Sequence, residues 1–295
     1  MHESRSFKTD APILSPETFR TAADFIIDGP LLSIETNDLF DGCVIYVSLE
    51  YLKSFYDIIL PKIAKKVIIV THGHQPFYHY PPEESWHSYI KSEAFLTPKF
   101  AAHPNVLAFF SKNNTYDHPK CHGLPIGKSF FHPSQSIPLI ALANKLSLDD
   151  YFKEKPIQIY LNILCGTHSS RPLINDIWKN RKGVTYKERV RFYTYLKQIT
   201  NSRFVISPIG DEPDCFRTWE VLWSGSIPVV MHIGIDELYE DLPVILVDDL
   251  ATLTLEELYE KYEELKTKEF NLDKLFAPYW IDKIRSCGKE CIDAY

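Results

Sequence analysis

The chain has 295 residues, enough for one large domain or two domains of moderate size. Hydrophobic residues make up 45% of it and aromatic residues 14%, which excludes an intrinsically disordered chain. The formal net charge of −7 argues against a general nucleic-acid binder, so we expect no nucleic-acid partner.

The N-terminal segment, residues 1–19, contains no apolar run of the kind that forms a signal peptide. No segment approaches the roughly 18 consecutive apolar residues that a transmembrane helix needs. We therefore predict no transmembrane segment and a cytoplasmic location. None of the six cysteines forms a C-x-x-C pair, which indicates reduced thiols rather than a zinc site.

The first half of the chain alternates apolar runs of strand length with segments of helical pattern. The predicted strands are 43–47, 66–71 and 106–110, and a helix is predicted at 50–64. Strands that are apolar throughout and alternate with helices are typical of a parallel sheet that is covered on both faces.

The second of these strands ends abruptly in His72-Gly73-His74. A strand that ends in His-x-His also begins the barrel of metal-dependent amidohydrolases, in which both imidazoles bind one metal ion. The chain is long enough for such an eight-stranded barrel. A metal-dependent hydrolase that uses the pair His72 and His74 is therefore one alternative.

A linker is predicted at about 131–155, and the αβ alternation then resumes. The predicted elements are strands at 157–162, 204–206, 227–230 and 243–247, and helices at 175–182, 186–199, 254–268 and 276–287. We predict two Rossmann-like domains with parallel sheets that face each other across a cleft. The predicted boundaries are 1–135 and 155–275, and 276–295 is expected to form a helix that packs back on the first domain.

The segment 204–230 reads as strand, polar loop, helix, tight turn and strand. Arg217 and Glu220 lie three residues apart near the predicted helix start, so they share one face of that helix. An Arg at a helix N-terminus is suited to hold a diphosphate. A Glu one turn further on can accept hydrogen bonds from ribose hydroxyls.

This segment resembles the C-terminal signature of exostosin-like glycosyltransferases and related short sugar transferases. The matching pieces are S-P-x-G at Ser207–Gly210, D-x-x-R-x-W-E-x-L at Asp214–Leu222 and G-x-I-P-V at Gly225–Val229. A second similar segment, N…H-P-K…P-I-G, lies at 113–127, before the first one as in those transferases.

The resemblance implies the two-domain GT-B architecture, with the nucleotide-sugar donor on the C-terminal domain and a glycan acceptor on the N-terminal one. The donor is expected to be a UDP-sugar and the transfer inverting. The expected donor-binding residues are Arg217, Glu220, Gly210, Asp214, Ser207, Arg171 and Ser170. Cationic groups would neutralise the leaving diphosphate, so we expect no metal site and no cofactor. Asp214 has an equally plain reading as a helix cap.

An inverting transfer needs a base that takes the proton of the acceptor hydroxyl. His72 and His74 are the candidates, because they follow a strand of the first domain. His118, Asp117 and Asp38 are less favoured. A third interpretation is a non-catalytic module that binds a sugar nucleotide without turnover.

Overall fold

The computed structural model of the chain describes residues 13–29, 34–73, 86–129 and 133–293. In these residues the strands form two open five-stranded sheets, and all pairings between named strands are parallel. Helices or short 3₁₀ turns connect most of the consecutive strands. The predicted α/β class with two parallel sheets is confirmed.

The first sheet has the strand order β1-β2-β3-β4-β5. Its strands are β1 Phe25–Ile27, β2 Val44–Val47, β3 Val67–Thr71, β4 Val106–Ser111 and β5 Cys121–Gly123. The helices in this part of the chain are α1 Pro16–Thr21, α2 Leu52–Ser54 and α3 Trp86–Ala102. Every residue of β2, β3 and β4 is buried, which explains why these strands could be predicted from continuous apolar runs.

The helix predicted at 50–64 is a mixed one. Short 3₁₀ turns flank α2 and a π-helical turn, which spans Phe55–Ile59. Pro61 has no N–H to donate to the preceding turn, so a regular α-helix cannot continue through it. The apolar spacing of this segment follows one continuous helical pattern, so the sequence does not predict the change between α-, π- and 3₁₀-helical turns.

The second sheet has the order β10-β9-β8-β6-β7. Its strands are β6 Ile157–Leu161, β7 Val184–Tyr186, β8 Ser202–Ile206, β9 Ile227–Met231 and β10 Ile245–Val247. The helices here are α4 Pro133–Ala143, α5 Asp149–Phe152, α6 Arg171–Trp178, α7 Phe192–Thr200, α8 Phe216–Trp223 and α9 Leu255–Leu265, and α10 Ala277–Asp293 follows them.

The described residues divide into two compact units. One lies within Leu14–Phe131 and Ala277–Tyr295, and the other within Met1–Ile13 and His132–Phe276. In the first unit, α10 contacts β3 and β4. Arg285 on α10 donates to both carboxylate oxygens of Asp24 at 2.6 and 3.0 Å, and Asp24 also accepts from the backbone N–H of Val44 at 2.8 Å. This bidentate ion pair fixes the helix to the strand edge.

Gly127, the last residue of the P-I-G segment, has a structural explanation within the first unit. Its φ is +69°, and a Cβ there would lie 2.6 Å from the carbonyl oxygen of Leu14. The next N–H, that of Lys128, donates to the same oxygen at 2.8 Å. The glycine therefore allows two backbone segments to approach closely.

We expect Gly127→Ala to lower the free energy of unfolding by about 2 kcal/mol, because alanine is strained at positive φ and its methyl group meets backbone that cannot move aside. Urea unfolding followed by tryptophan fluorescence measures the change. Gly166→Ala is the matched control, since a Cβ at Gly166 meets nothing within 4 Å. Equal stability of the two variants would contradict this explanation.

Candidate functional site

The loop between β8 and α8 lies at the carboxyl end of a central strand, as the sequence predicts. Cys215 has an extended backbone (φ −127°, ψ 138°) and precedes the first helical residue, Phe216. Trp219, Leu222 and Trp223 on α8 are fully buried, so the helix is held against the sheet by its apolar face. Its N-terminal turn is thereby placed at the sheet edge where ligands of parallel αβ folds bind.

Asp214 organises this loop from inside. Its carboxylate accepts hydrogen bonds from the Cys215 N–H at 2.8 Å, the Tyr239 hydroxyl at 2.8 Å and the Trp219 indole at 2.7 Å. The residue is 2% exposed. A buried carboxylate with these donors is a structural anchor for the start of α8.

Two other positions of the signature also have folding roles. The Ser207 hydroxyl is 3.0 Å from the Thr218 hydroxyl, and both residues are buried. Gly225 has a φ of +70° and follows the end of α8; its N–H donates to Leu222, and the next N–H donates to Val221. These two bonds form a Schellman motif, which closes the helix with a glycine.

Arg171, at the start of α6, is 6% exposed and surrounded by carbonyl groups. Its Nε donates to Ile209 at 2.6 Å, Nη1 to Leu164 at 3.1 Å and Nη2 to Pro208 at 2.9 Å. A Cβ at Gly210 would lie 3.0 Å from Nη2, so the glycine makes room for the guanidinium. Gly210 and Arg171, both predicted to bind the donor, thus contact each other. The Arg171 guanidinium donates its hydrogen bonds to backbone carbonyls of the protein itself.

Ser170 precedes α6 and is half-buried. Its hydroxyl lies 2.8 Å from Nδ1 of His168, and its N–H donates to the same ring nitrogen at 3.3 Å. The structure therefore places Ser170 beside Arg171 at one helix start, as the sequence order requires.

Arg217 and Glu220 share one face of α8, as predicted, and a tyrosine from α7 joins them. The Tyr195 hydroxyl donates to Oε2 of Glu220 at 2.9 Å, and the Arg217 guanidinium carbon lies 5.4 Å from the centre of the Tyr195 ring. This distance is within the range of a cation–π interaction. Tyr195 could not be predicted from the sequence as part of this group, because it lies in another helix and no sequence spacing connects it to α8.

The electrostatics of this group favour a bound anion. Nη1 of Arg217 is buried and has no hydrogen-bond partner among the described residues. Burial raises the pKa of Glu220, while the Tyr195 hydrogen bond and the charge of Arg217 oppose that rise. The N-terminus of α8 adds a positive partial charge. The group can thus hold an anionic oxygen at Arg217 and accept a hydrogen bond from a hydroxyl group at Glu220.

His72 lies in the first unit and is 1% exposed. Its Nε2 is 3.1 Å from the carbonyl oxygen of Pro125, and its ring stacks on Phe19 with centroids 5.1 Å apart. The Tyr46 hydroxyl donates to the His72 carbonyl. These contacts connect β3 to the P-I-G segment. His74 lies outside the described residues.

The alternative of a metal-dependent barrel has no scaffold in the described part of the chain, where the strands form two open sheets. Within the same residues, no group of three or more His, Cys, Asp or Glu side chains is arranged to hold a metal ion. None of the described helices combines the length and the apolar composition needed to cross a bilayer.

No family model matches the chain, and no curated protein matches it either. Among solved structures, the chain is similar to an alpha,alpha-trehalose 6-phosphate synthase from Burkholderia multivorans. The TM-score is 0.39 and the sequence identity 8%, over 88% of this chain and 73% of that one.

Proposed function

We propose that the chain is a glycosyltransferase that moves a sugar from a nucleotide-sugar donor, a UDP-sugar in the first instance, to a hydroxyl of a glycan acceptor. The observation that carries this proposal is the buried, unpartnered Nη1 of Arg217 beside Glu220 at the N-terminus of α8. A cationic fork and a carboxylate on one helix face match a diphosphate and a ribose.

The remaining signature residues divide into two groups by their contacts. Gly210 and Ser170 lie beside the buried Arg171 and are proposed to line the donor phosphates. Ser207 and Asp214 contact the protein interior, so we propose that they support the donor by holding the loop and the start of α8.

In the proposed reaction, an acceptor oxygen forms a bond to the anomeric carbon while the bond from that carbon to the diphosphate oxygen breaks. The configuration inverts, the acceptor proton passes to a base, and the nucleoside diphosphate leaves with the bonding electron pair. Arg217 and the α8 N-terminus would stabilise the negative charge that develops on the leaving group, so the proposal requires no metal ion. His72 and His74 stay predictions for the base.

The direct test is a thermal-shift screen with UDP and a panel of UDP-sugars, followed by measurement of UDP release in the presence of candidate acceptor glycans. A ligand at about 100 times its dissociation constant stabilises a protein by about 2.7 kcal/mol, so a rise in melting temperature of a few degrees is expected. Purine nucleotides serve as the matched comparison.

The absence of a shift with any nucleotide or nucleotide sugar would overturn the proposal. Binding without UDP release, whatever the acceptor, would indicate the non-catalytic binding module instead.

Turnover should also persist in EDTA, and a loss that Mn²⁺ or Mg²⁺ restores would contradict metal-independent transfer.

A further inference from the structure

A second buried polar group without a hydrogen-bond partner among the described residues packs against Tyr195, the neighbour of Arg217. Tyr160 is on β6, which lies between β8 and β7 in the second sheet, and is fully buried. Its hydroxyl has no hydrogen-bond partner among the described residues. Its ring lies 6.5 Å, centroid to centroid, from the ring of Tyr195, which in turn lies against the Arg217 guanidinium.

The pairing of β6 with β7 and β8 places Tyr160 beside Val205 and Thr185, on the face of the sheet that carries α7. Burial raises the pKa of Tyr160, and the positive charge of Arg217 acts in the opposite direction. Tyr160, Tyr195 and Arg217 thus form one continuous cluster, which we call the Tyr160–Arg217 cluster.

The chemistry of the two unpartnered atoms limits what can satisfy both. A guanidinium nitrogen can only donate a hydrogen bond, whereas a tyrosine hydroxyl can donate or accept. One strong acceptor within hydrogen-bond reach of both Arg217 Nη1 and the Tyr160 hydroxyl would satisfy the two groups at once. Leaving such groups buried and unpaired destabilises the protein, and hydrogen bonds to an anionic oxygen would remove that cost.

We propose that Tyr160 is a further binding residue of the donor site, and that its hydroxyl donates, together with Nη1 of Arg217, to an anionic oxygen of the nucleoside diphosphate. This inference rests on the proposed function. Tyr160 lies on a strand of the sheet, whereas the donor-binding residues predicted from the sequence lie in loops and near helix starts. This arrangement also gives Tyr195 a positioning role, because Tyr195 orders Glu220 and packs against Arg217 between the two helices.

The test is isothermal titration with UDP and with uridine, using the wild-type protein and Tyr160→Phe, which removes only the hydroxyl. We expect the dissociation constant for UDP to rise about 10-fold, as the loss of one charge-assisted hydrogen bond implies. Uridine affinity should not change, because the contact is to phosphate. The melting temperature of the unliganded variant should stay the same or rise, since the substitution removes an unpaired buried hydroxyl.

Tyr151→Phe is the matched control. Tyr151 is also fully buried, but its hydroxyl donates to the Leu222 carbonyl at 2.6 Å. Removing that hydroxyl should lower the melting temperature and leave UDP affinity unchanged.

The outcomes separate the inference from the proposed function. If the wild-type protein binds UDP and Tyr160→Phe binds it equally well, the inference is wrong and the proposed function stands. An equal loss for uridine would overturn the phosphate contact. A lower melting temperature for unliganded Tyr160→Phe would show that the hydroxyl already has a structural partner, which also overturns the inference. Failure of the wild-type protein to bind any nucleotide would overturn both.

Discussion

Replacing Arg217 with alanine is expected to reduce kcat/KM for sugar transfer by about 1,000-fold, through the loss of roughly 4 kcal/mol of transition-state stabilisation. The guanidinium is proposed to meet the diphosphate as it gains charge on leaving, so its removal should lower kcat as well as donor affinity. Steady-state kinetics over a range of UDP-sugar concentrations separates the two effects. Arg217→Lys keeps the charge but loses the planar fork, and an intermediate loss is expected.

The structure offers a matched arginine for this experiment. Arg203 on β8 also lies over a tyrosine ring, that of Tyr262 at 5.2 Å, and it pairs with Glu154 at 2.8 Å. Tyr262 lies on α9, and neither Tyr262 nor Glu154 is a proposed donor residue. Arg203→Ala should therefore leave kcat/KM unchanged. Near-normal turnover of Arg217→Ala, with the same far-ultraviolet circular dichroism as the wild type, would remove Arg217 from its role.

The parts of the fold that could be predicted from the sequence are the long buried strands. In β2, β3 and β4, each residue is buried, so an apolar run is visible without knowledge of the tertiary structure. The four edge strands of the two described sheets, β1, β5, β7 and β10, have three residues each, and only β10 lies within a predicted strand, 243–247. A run of that length has no readable period, and β7 is half-buried throughout, so tertiary pairing alone defines it.

The candidate site was predictable where its residues share one helix. Arg217 and Glu220 are three positions apart, and helical geometry alone places them together. Tyr195 and Tyr160 reach the same place from α7 and β6, and only the packing of those elements brings them there. A signature in the sequence also does not distinguish residues that hold the loop from residues that face a ligand, as Asp214 demonstrates.

Arg171 is the clearest case of a residue that can either hold the loop or face a ligand. The substitution Arg171→Met distinguishes these two roles. We expect the free energy of unfolding to fall by about 3 kcal/mol, because the substitution leaves the carbonyls of Leu164, Pro208 and Ile209 without their donor. Methionine keeps most of the side-chain volume, so a cavity contributes little to the loss. Chemical unfolding followed by tryptophan fluorescence gives the change, with the slope compared between variants because two units can unfold separately.

The two roles of Arg171 predict opposite patterns. A direct phosphate ligand would show a large loss of UDP affinity with little change in stability, since its donors would face the ligand. A residue that holds the loop would lose stability first, and UDP affinity would fall only as far as the loop around Gly210 loosens. Arg171→Lys sharpens the contrast, because a lysine keeps the charge for a phosphate but cannot reach three diverging carbonyls at once. We expect Arg171→Lys to be as destabilised as Arg171→Met. A lysine variant as stable as the wild type would instead support the role of Arg171 as a ligand of the donor phosphates.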